Sequence, residues 1–262
     1  MSSTDLRYEV FVSDMESVTV AAPPRPDDGP SLWSSMSHTL IYGKNEALLT
    51  DPPVTRGQAD TLIKWVESHD VALRYIYVTH AHFDHFATTN YLLRRFPDVT
   101  VVASDAVLAG IARQTPGGVL AGVYRDIFGD ALPEPPLTVQ GSVFPTDGLL
   151  LDGHELVAHE VGHSDTDDTS VLHVPSLDLV VAGDVVYNNV HQYLGEGRDA
   201  GLDAWHRVLD KVAALKPRFV VAGHRTPNAE IPHRTSMKRG AISTPAPSSS
   251  SSPRTPRNFS TR

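Results

Sequence analysis

Apolar residues along this chain recur in two rhythms. Short runs rich in Val, Ile, Leu, Thr and Tyr, at 7–12 (RYEVFV), 17–22 (SVTVAA), 38–42 (HTLIY) and 46–50 (EALLT), are bounded by Pro, Gly, Asp and Asn and predict strands. From Gln58 to Ser68 the rhythm changes: Leu62, Ile63, Trp65 and Val66 recur near helical spacing. Strand-like 74–80 (RYIYVTH), helical 88–96 (TTNYLLRRF) and strand-like 99–104 (VTVVAS) follow. After a helical and irregular stretch around 105–130 come strands at 155–161, 170–174 and 177–183. An amphipathic helix at 201–216 and a buried strand at 217–224 complete the pattern. Such alternation belongs to the α/β class.

The rhythm stops at about His233, where the sequence turns to Ser and Pro with almost nothing apolar after Ile242. A segment of that composition cannot bury enough surface to offset its ordering entropy, so residues 233–262 are expected to be a disordered tail behind a folded domain at 1–232. Within that domain, 40% hydrophobic residues suffice for a core. The balance of 22 basic against 31 acidic residues, with no basic stripe, disfavours nucleic acid as a partner. With no cysteine, disulfides, thiolate ligands and a thiol nucleophile are all excluded. A polar start and the lack of any long apolar run predict a cytoplasmic protein with no membrane partner.

The chemistry concentrates in "YVTHAHFDHF", 77–86, where His80, His82, Asp84 and His85 crowd the end of an apolar run. Residues two apart in an extended segment face the same way, so His80 and His82 can present imidazoles to one point. Asp84 and His85 are adjacent, their side chains diverge, and they suit a second point a few ångströms away. Two metals would explain the crowding. Further ligands should also sit at strand ends, and three candidates do so, each after a glycine: His163, Asp184 and His224. This nitrogen and oxygen donor set suits zinc and can hold iron or manganese.

The order T-H-A-H-F-D-H, then G-H, G-D and G-H, preceded by Asp51 in "LLTDPP", resembles the metallo-β-lactamase-fold hydrolase superfamily, including its glyoxalase II and lactonase-like members, over roughly residues 36–226. The resemblance implies an αββα sandwich, two mixed sheets flanked by helices. It also implies two metal ions: His80, His82 and His163 hold the first, Asp84, His85 and His224 the second, and Asp184 bridges them. Asp51 would be a supporting group beside the histidine loop. The implied reaction is attack of a metal-bound hydroxide on the carbonyl of a small ester, lactone or thioester, with Asp84 also carrying the proton. An iron-dependent oxidoreductase or sulfur dioxygenase is an alternative on the same scaffold, and a β-lactam-hydrolysing enzyme another, although cysteine-ligand subclasses are excluded by composition.

The segment after Asp184 would line the substrate mouth, which makes Tyr187, His191 and Tyr193 candidates for substrate binding. The stretch from Gln114 to Leu137 is the other candidate wall. Asp165, Asp167 and Asp168 read as a solvated turn, one member of which could support a ligand. His38, His69, His154, His159, His173, His206 and His233 lack partners of matching spacing and read as solvated or core hydrogen-bonded residues.

Overall fold

The computed structural model describes residues 6–18, 29–114, 119–134, 139–197, 201–227 and 229–231. In chain order the elements are β1 (Arg7–Val12), β2 (Glu16–Ser17), β3 (Leu32–Trp33), β4 (Ser37–Tyr42), β5 (Glu46–Thr50), α1 (Arg56–Glu67), β6 (Ala72–Tyr77), α2 (Thr89–Arg95), β7 (Thr100–Ala103), α3 (Asp105–Gln114), α4 (Val119–Phe128) and β8 (Ser142–Val143). Then come β9 (Leu149–Leu151), β10 (His154–Gly162), β11 (Thr169–Val174), β12 (Leu179–Asn188), α5 (Gly201–Ala214) and β13 (Phe219–Arg225). Six strands form one sheet in the order β1-β4-β5-β6-β7-β8, and five form another in the order β13-β12-β11-β10-β9. Both sheets are mixed. Pairing is antiparallel from β1 to β5 and parallel from β5 to β8 in the first, and antiparallel except for the parallel β12–β13 pair in the second.

Side-chain alternation along the strands builds three apolar layers. Ile41, Leu48, Tyr77 and Val102 from the first sheet meet Leu172, Leu179, Val181 and Val221 from the second. Their immediate neighbours point the other way: Leu40, Leu49, Ile76 and Val101 pack against Leu62, Val66, Leu92, Val107 and Ile111 of the helices on the first sheet. On the far side Val171, Val180 and Val220 pack against Val208 and Val212 of α5. The result is the expected αββα sandwich.

Local signals explain several boundaries. Thr55 caps α1 by accepting from the Gln58 backbone, while the Gln58 side chain returns a bond to Thr55, closing a capping box. The strand expected at 17–22 is only the two-residue β2, paired to β3, and residues 19–28 lie outside the described residues, as does the segment from 232 to 262. β6 ends at Tyr77 rather than His80, because the Thr79 backbone N–H is taken by the Asp51 side chain at 2.8 Å instead of a ladder partner. β12 runs ten residues, past the expected end at Gly183, so Asp184 lies within a strand and not after one.

Gly183 makes that continuation possible. Its φ is +52°, and a Cβ there would lie 2.5 Å from Thr79 Oγ1 and 2.8 Å from Thr79 Cβ. Gly183→Ala should therefore lower stability by about 2–5 kcal/mol, the combined scale of left-handed strain in a non-glycine residue and of overpacking. The measurement is the midpoint of urea unfolding at fixed metal concentration; an unshifted midpoint would show that Thr79 yields at no cost.

Candidate metal centre

The loop that carries the centre is fixed at its base by Asp51, buried at the end of β5. Asp51 accepts from the Thr79 backbone at 2.8 Å and from the Thr79 hydroxyl at 3.0 Å, and that hydroxyl also lies 3.0 Å from His80 Nδ1. Beyond His82 one turn of 3-10 helix, Phe83–His85, folds the chain back. Phe83 enters the core and stacks on Tyr124 at 4.4 Å between ring centroids. Asp84 and His85 thereby face inward together.

Two groups of donors result. His80, His82, Asp165 and Asp184 each offer one ligand atom within 4.8 Å of the others, and Asp84, His85 and His224 do the same. Asp184 links the groups, with Oδ1 3.3 Å from His85 Nε2 and Oδ2 3.4 Å from His224 Nε2. Gly223 makes room for this carboxylate: a Cβ there would lie 2.0 Å from Asp184 Oδ1. The ring atoms that face away from the centre have polar neighbours. His224 Nδ1 lies 2.6 Å from Ser34 Oγ, and His85 Nδ1 lies 3.4 Å from Asp51 Oδ2. Trp33 Nε1 donates to Asp84 Oδ2 at 3.0 Å, and Tyr187 Oη to Asp184 Oδ2 at 2.6 Å.

Of the seven ligands expected from the sequence, the structure gathers His80, His82, Asp84, His85, Asp184 and His224. It leaves His163 outside both groups. His163 Nδ1 is 2.7 Å from Asp167 Oδ1, and its Nε2 is buried against Gly201, where a Cβ would come within 2.9 Å. Asp165 instead lies with His80 and His82 in the first group. It is not part of a solvated turn; it is fully buried, whereas the Asp167 side chain is 83% exposed.

Sequence reasoning also missed Trp33 and Glu196. Glu196 lies 3.1 Å from His82 Nε2 and accepts from the Thr166 hydroxyl at 2.7 Å. No spacing signal could have found either residue, because Trp33 lies 51 positions from Asp84 and Glu196 114 positions from His82. His38 has the buried, hydrogen-bonded role expected, with Nδ1 2.5 Å from the Asp51 carbonyl. His69, His154, His159, His173 and His206 join neither group, and His233 lies outside the described residues.

The charges explain what this cluster is built to hold. Burial would lower the pKa of His82, but the Asp165 and Glu196 carboxylates beside it hold it up to about 10. His85 is buried as well, and Asp184 and Asp84 raise its pKa well above the ordinary imidazole value. Burial, then neighbouring His85, lowers His80 to about 4. Against their own burial, Asp84 is held well below the usual carboxylate range by His85 and His224, and Asp184 by His224 and His85. Without another cation, then, the carboxylates keep protons on His82 and His85. Yet His80 Nε2, His85 Nε2, Asp165 Oδ2 and Asp184 Oδ1 are buried with no hydrogen-bond partner. Divalent cations fit both observations, since they replace the protons as counter-charge and satisfy the orphaned atoms.

The centre opens into a cavity of about 770 Å³. Trp33, Val123, Tyr124 and Ile127 give it an apolar wall; Asp167, Asp168 and Glu196 line another side, and Arg113 is also at its edge. Tyr187, His191 and Tyr193 all line it. No helix among the described residues is long and apolar enough to cross a membrane.

Comparison with known proteins agrees with this architecture. The family model described as "Metallo-beta-lactamase superfamily" matches residues 37–224. A "Metallo-beta-lactamase type 2" from Bacteroides fragilis is 27% identical over 190 residues, 71% of this chain and 67% of that protein. A "Hydroxyacylglutathione hydrolase" from Synechococcus sp. (strain CC9902) is 28% identical over 212 residues, 79% of this chain and 69% of that protein. Among solved structures, a metallo-beta-lactamase from Pontibacter korlensis superposes with a TM-score of 0.58 at 19% identity, covering 80% of this chain and 91% of that one. With the sandwich, the two donor groups and a family match that spans both, this chain belongs to the metallo-beta-lactamase superfamily and is a hydrolase of that family.

Proposed function

We propose that the protein is a dinuclear zinc hydrolase that cleaves an ester, lactone or thioester bond in a small carbonyl substrate. The observation that carries this reading is the pair of buried donor groups joined by Asp184 at the floor of an open cavity. In this reading His80 and His82 hold the first ion, Asp84, His85 and His224 the second, and Asp184 lies between them. When bound, two divalent ions supply a water acidic enough to attack at neutral pH and polarise the substrate carbonyl.

The chain's own residues do the rest. Trp33 fixes the rotation of Asp84 through the bond to Oδ2. Held in that way, the carboxylate takes the proton of the attacking water and returns it to the leaving group. Tyr187 holds Asp184 through its hydroxyl, and burial followed by that carboxylate pushes its own pKa well above the ordinary phenol value, so it stays protonated as a donor. Asp51 and Thr79 orient the histidine loop. His191 and Tyr193 stand at the mouth, and the wall of Trp33, Val123, Tyr124 and Ile127 receives an apolar portion of the substrate. Asp167, Asp168 and Glu196 on the facing side repel polyanions. A β-lactam substrate is the second reading, supported by the similarity to the Bacteroides fragilis protein.

Three measurements test this reading. Exhaustive chelation should abolish hydrolysis and zinc should restore it, with two zinc per chain by elemental analysis; one iron per chain with oxygen consumption would replace hydrolysis by oxygen chemistry. Asp184→Asn keeps the shape but removes the charge between the ions, so it should cost one metal and at least about 100-fold in rate, the upper scale for removing a group that tunes a metal site. A variant with two metals and normal turnover would show that Asp184 is no bridge. In a panel of lactones, neutral thioesters, a glutathione thioester and a β-lactam assayed with the zinc-loaded protein, a neutral, partly apolar lactone or thioester should give the highest kcat/KM. Preference for the glutathione thioester would contradict the role given to the acidic side of the cavity.

A further inference from the structure

The apolar wall of the cavity carries a polar group that the mechanism does not use, the hydroxyl of Tyr124 on α4. Aromatic neighbours fix its ring. It stacks on Phe83 with ring centroids 4.4 Å apart, lies nearly parallel to Phe128 at 6.2 Å and meets Trp33 edge-on at 6.0 Å. Phe83 immediately precedes Asp84, and Trp33 donates to the Asp84 carboxylate at 3.0 Å. Tyr124 is therefore positioned by the same two residues that set Asp84, which ties the place of its hydroxyl to the metal centre.

Among the described residues the Tyr124 hydroxyl has no hydrogen-bond partner, and it is not one of the orphaned oxygens sealed in the core, so it opens to the cavity that its residue lines. Tyr187 differs, since its hydroxyl is committed to Asp184 at 2.6 Å, and Tyr193 stands half-exposed at the mouth. Burial, followed by the Asp84 charge, pushes the Tyr124 pKa well above the ordinary phenol value, so the oxygen keeps its proton and can donate. Of the carboxylates that act on it, Asp84 comes ahead of Glu196, which sets the hydroxyl toward the metal centre and not out at the mouth. A wholly hydrocarbon group laid along this wall would displace water from the hydroxyl and leave it unpaired. A group with an acceptor at that point recovers the bond, and a site built to make such a bond discriminates against the analogue that lacks it.

We propose that Tyr124 is a specificity-determining residue whose hydroxyl donates a hydrogen bond to a second acceptor oxygen of the substrate, set a few bonds from the scissile carbonyl at the start of its apolar part. The proposal rests on the hydrolase reading above, and the test separates the two. Zinc-loaded full-length wild type and Tyr124→Phe are assayed with a neutral octanoyl thioester and with analogues in which an ether oxygen replaces the methylene at carbon 3, 4 or 5. The same series as inert ketones, with a methylene in place of the thioester sulfur, is followed by calorimetric binding. In Tyr124→Phe one ether analogue should lose about 3- to 10-fold relative to the octanoyl parent, the range of one neutral hydrogen bond, in kcat/KM and in ketone affinity alike. The parent, the zinc per chain and the melting temperature should stay unchanged. An equal fall for every member of the series overturns the proposal, because it marks lost packing. Unchanged ratios at all three positions overturn it as well, and hydrolysis by the wild type then leaves the hydrolase reading standing. Ketone binding with the Tyr124-dependent preference but without thioester hydrolysis supports the proposal and counts against that reading. A wild type that neither binds nor cleaves any member overturns both. Should Tyr124→Phe fail to fold, Tyr124→Leu is judged by the same ratios.

Discussion

Asp184 sits at the centre of the molecule's electrostatics. It is 2% exposed, lies between His85 and His224, and takes a hydrogen bond from Tyr187. A single buried carboxylate is costly, and the cost grows when Asp84 and Asp165 are buried beside it. The nearby imidazoles offset this only by carrying protons, which puts positive charge into the same desolvated space. Divalent cations would neutralise the carboxylates without crowding protonated rings together, so folding of the cluster and metal binding should be thermodynamically linked.

That constraint shapes the second sheet. A carboxylate can reach the centre from the middle of a strand only if the neighbouring backbone yields space, and β12 and β13 provide it through glycine. Gly223 lets Asp184 pass at a distance no Cβ would permit, while Gly183 turns the chain through a left-handed φ against Thr79. The register between the two strands shifts at Gly183 and again before Tyr187. Such irregularity weakens a ladder, and it is tolerated here because the three-layer packing of β12 and β13 holds the strands in place from both faces.

The most legible part of the site in sequence was the part in which chemistry is local. His80, His82, Asp84 and His85 lie within six residues, so their spacing alone implied two convergent points. Asp184 and His224 were readable from the apolar runs and glycines before them. The fold was readable for a related reason, since alternation in β4–β7 and β10–β13 directly records the three layers. Asp165 was not readable. It is one of three aspartates in four positions and lies two residues from a histidine that fits a familiar pattern, and only burial distinguishes it from exposed Asp167. Trp33 and Glu196 were hidden because contact across 51 and 114 residues is a property of the fold, not of any segment.

Glu196 connects these levels. One of its oxygens faces His82 and the other takes the Thr166 hydroxyl, so the loop that follows β12 is fastened to both the histidine loop and the Asp165 turn. In the same loop, Tyr193 lies edge-on to His82, with ring centroids 5.4 Å apart. On the proposed reading, a substrate entering between Tyr193 and the apolar wall would press on a ring that borders His82. Binding at the mouth and the orientation of His82 would not be independent in such an arrangement, because Glu196 lines the cavity and is hydrogen-bonded to His82. The acidic side of the cavity thus has two effects: it disfavours polyanions at the mouth, and through Glu196 it increases the basicity of His82 toward a cation.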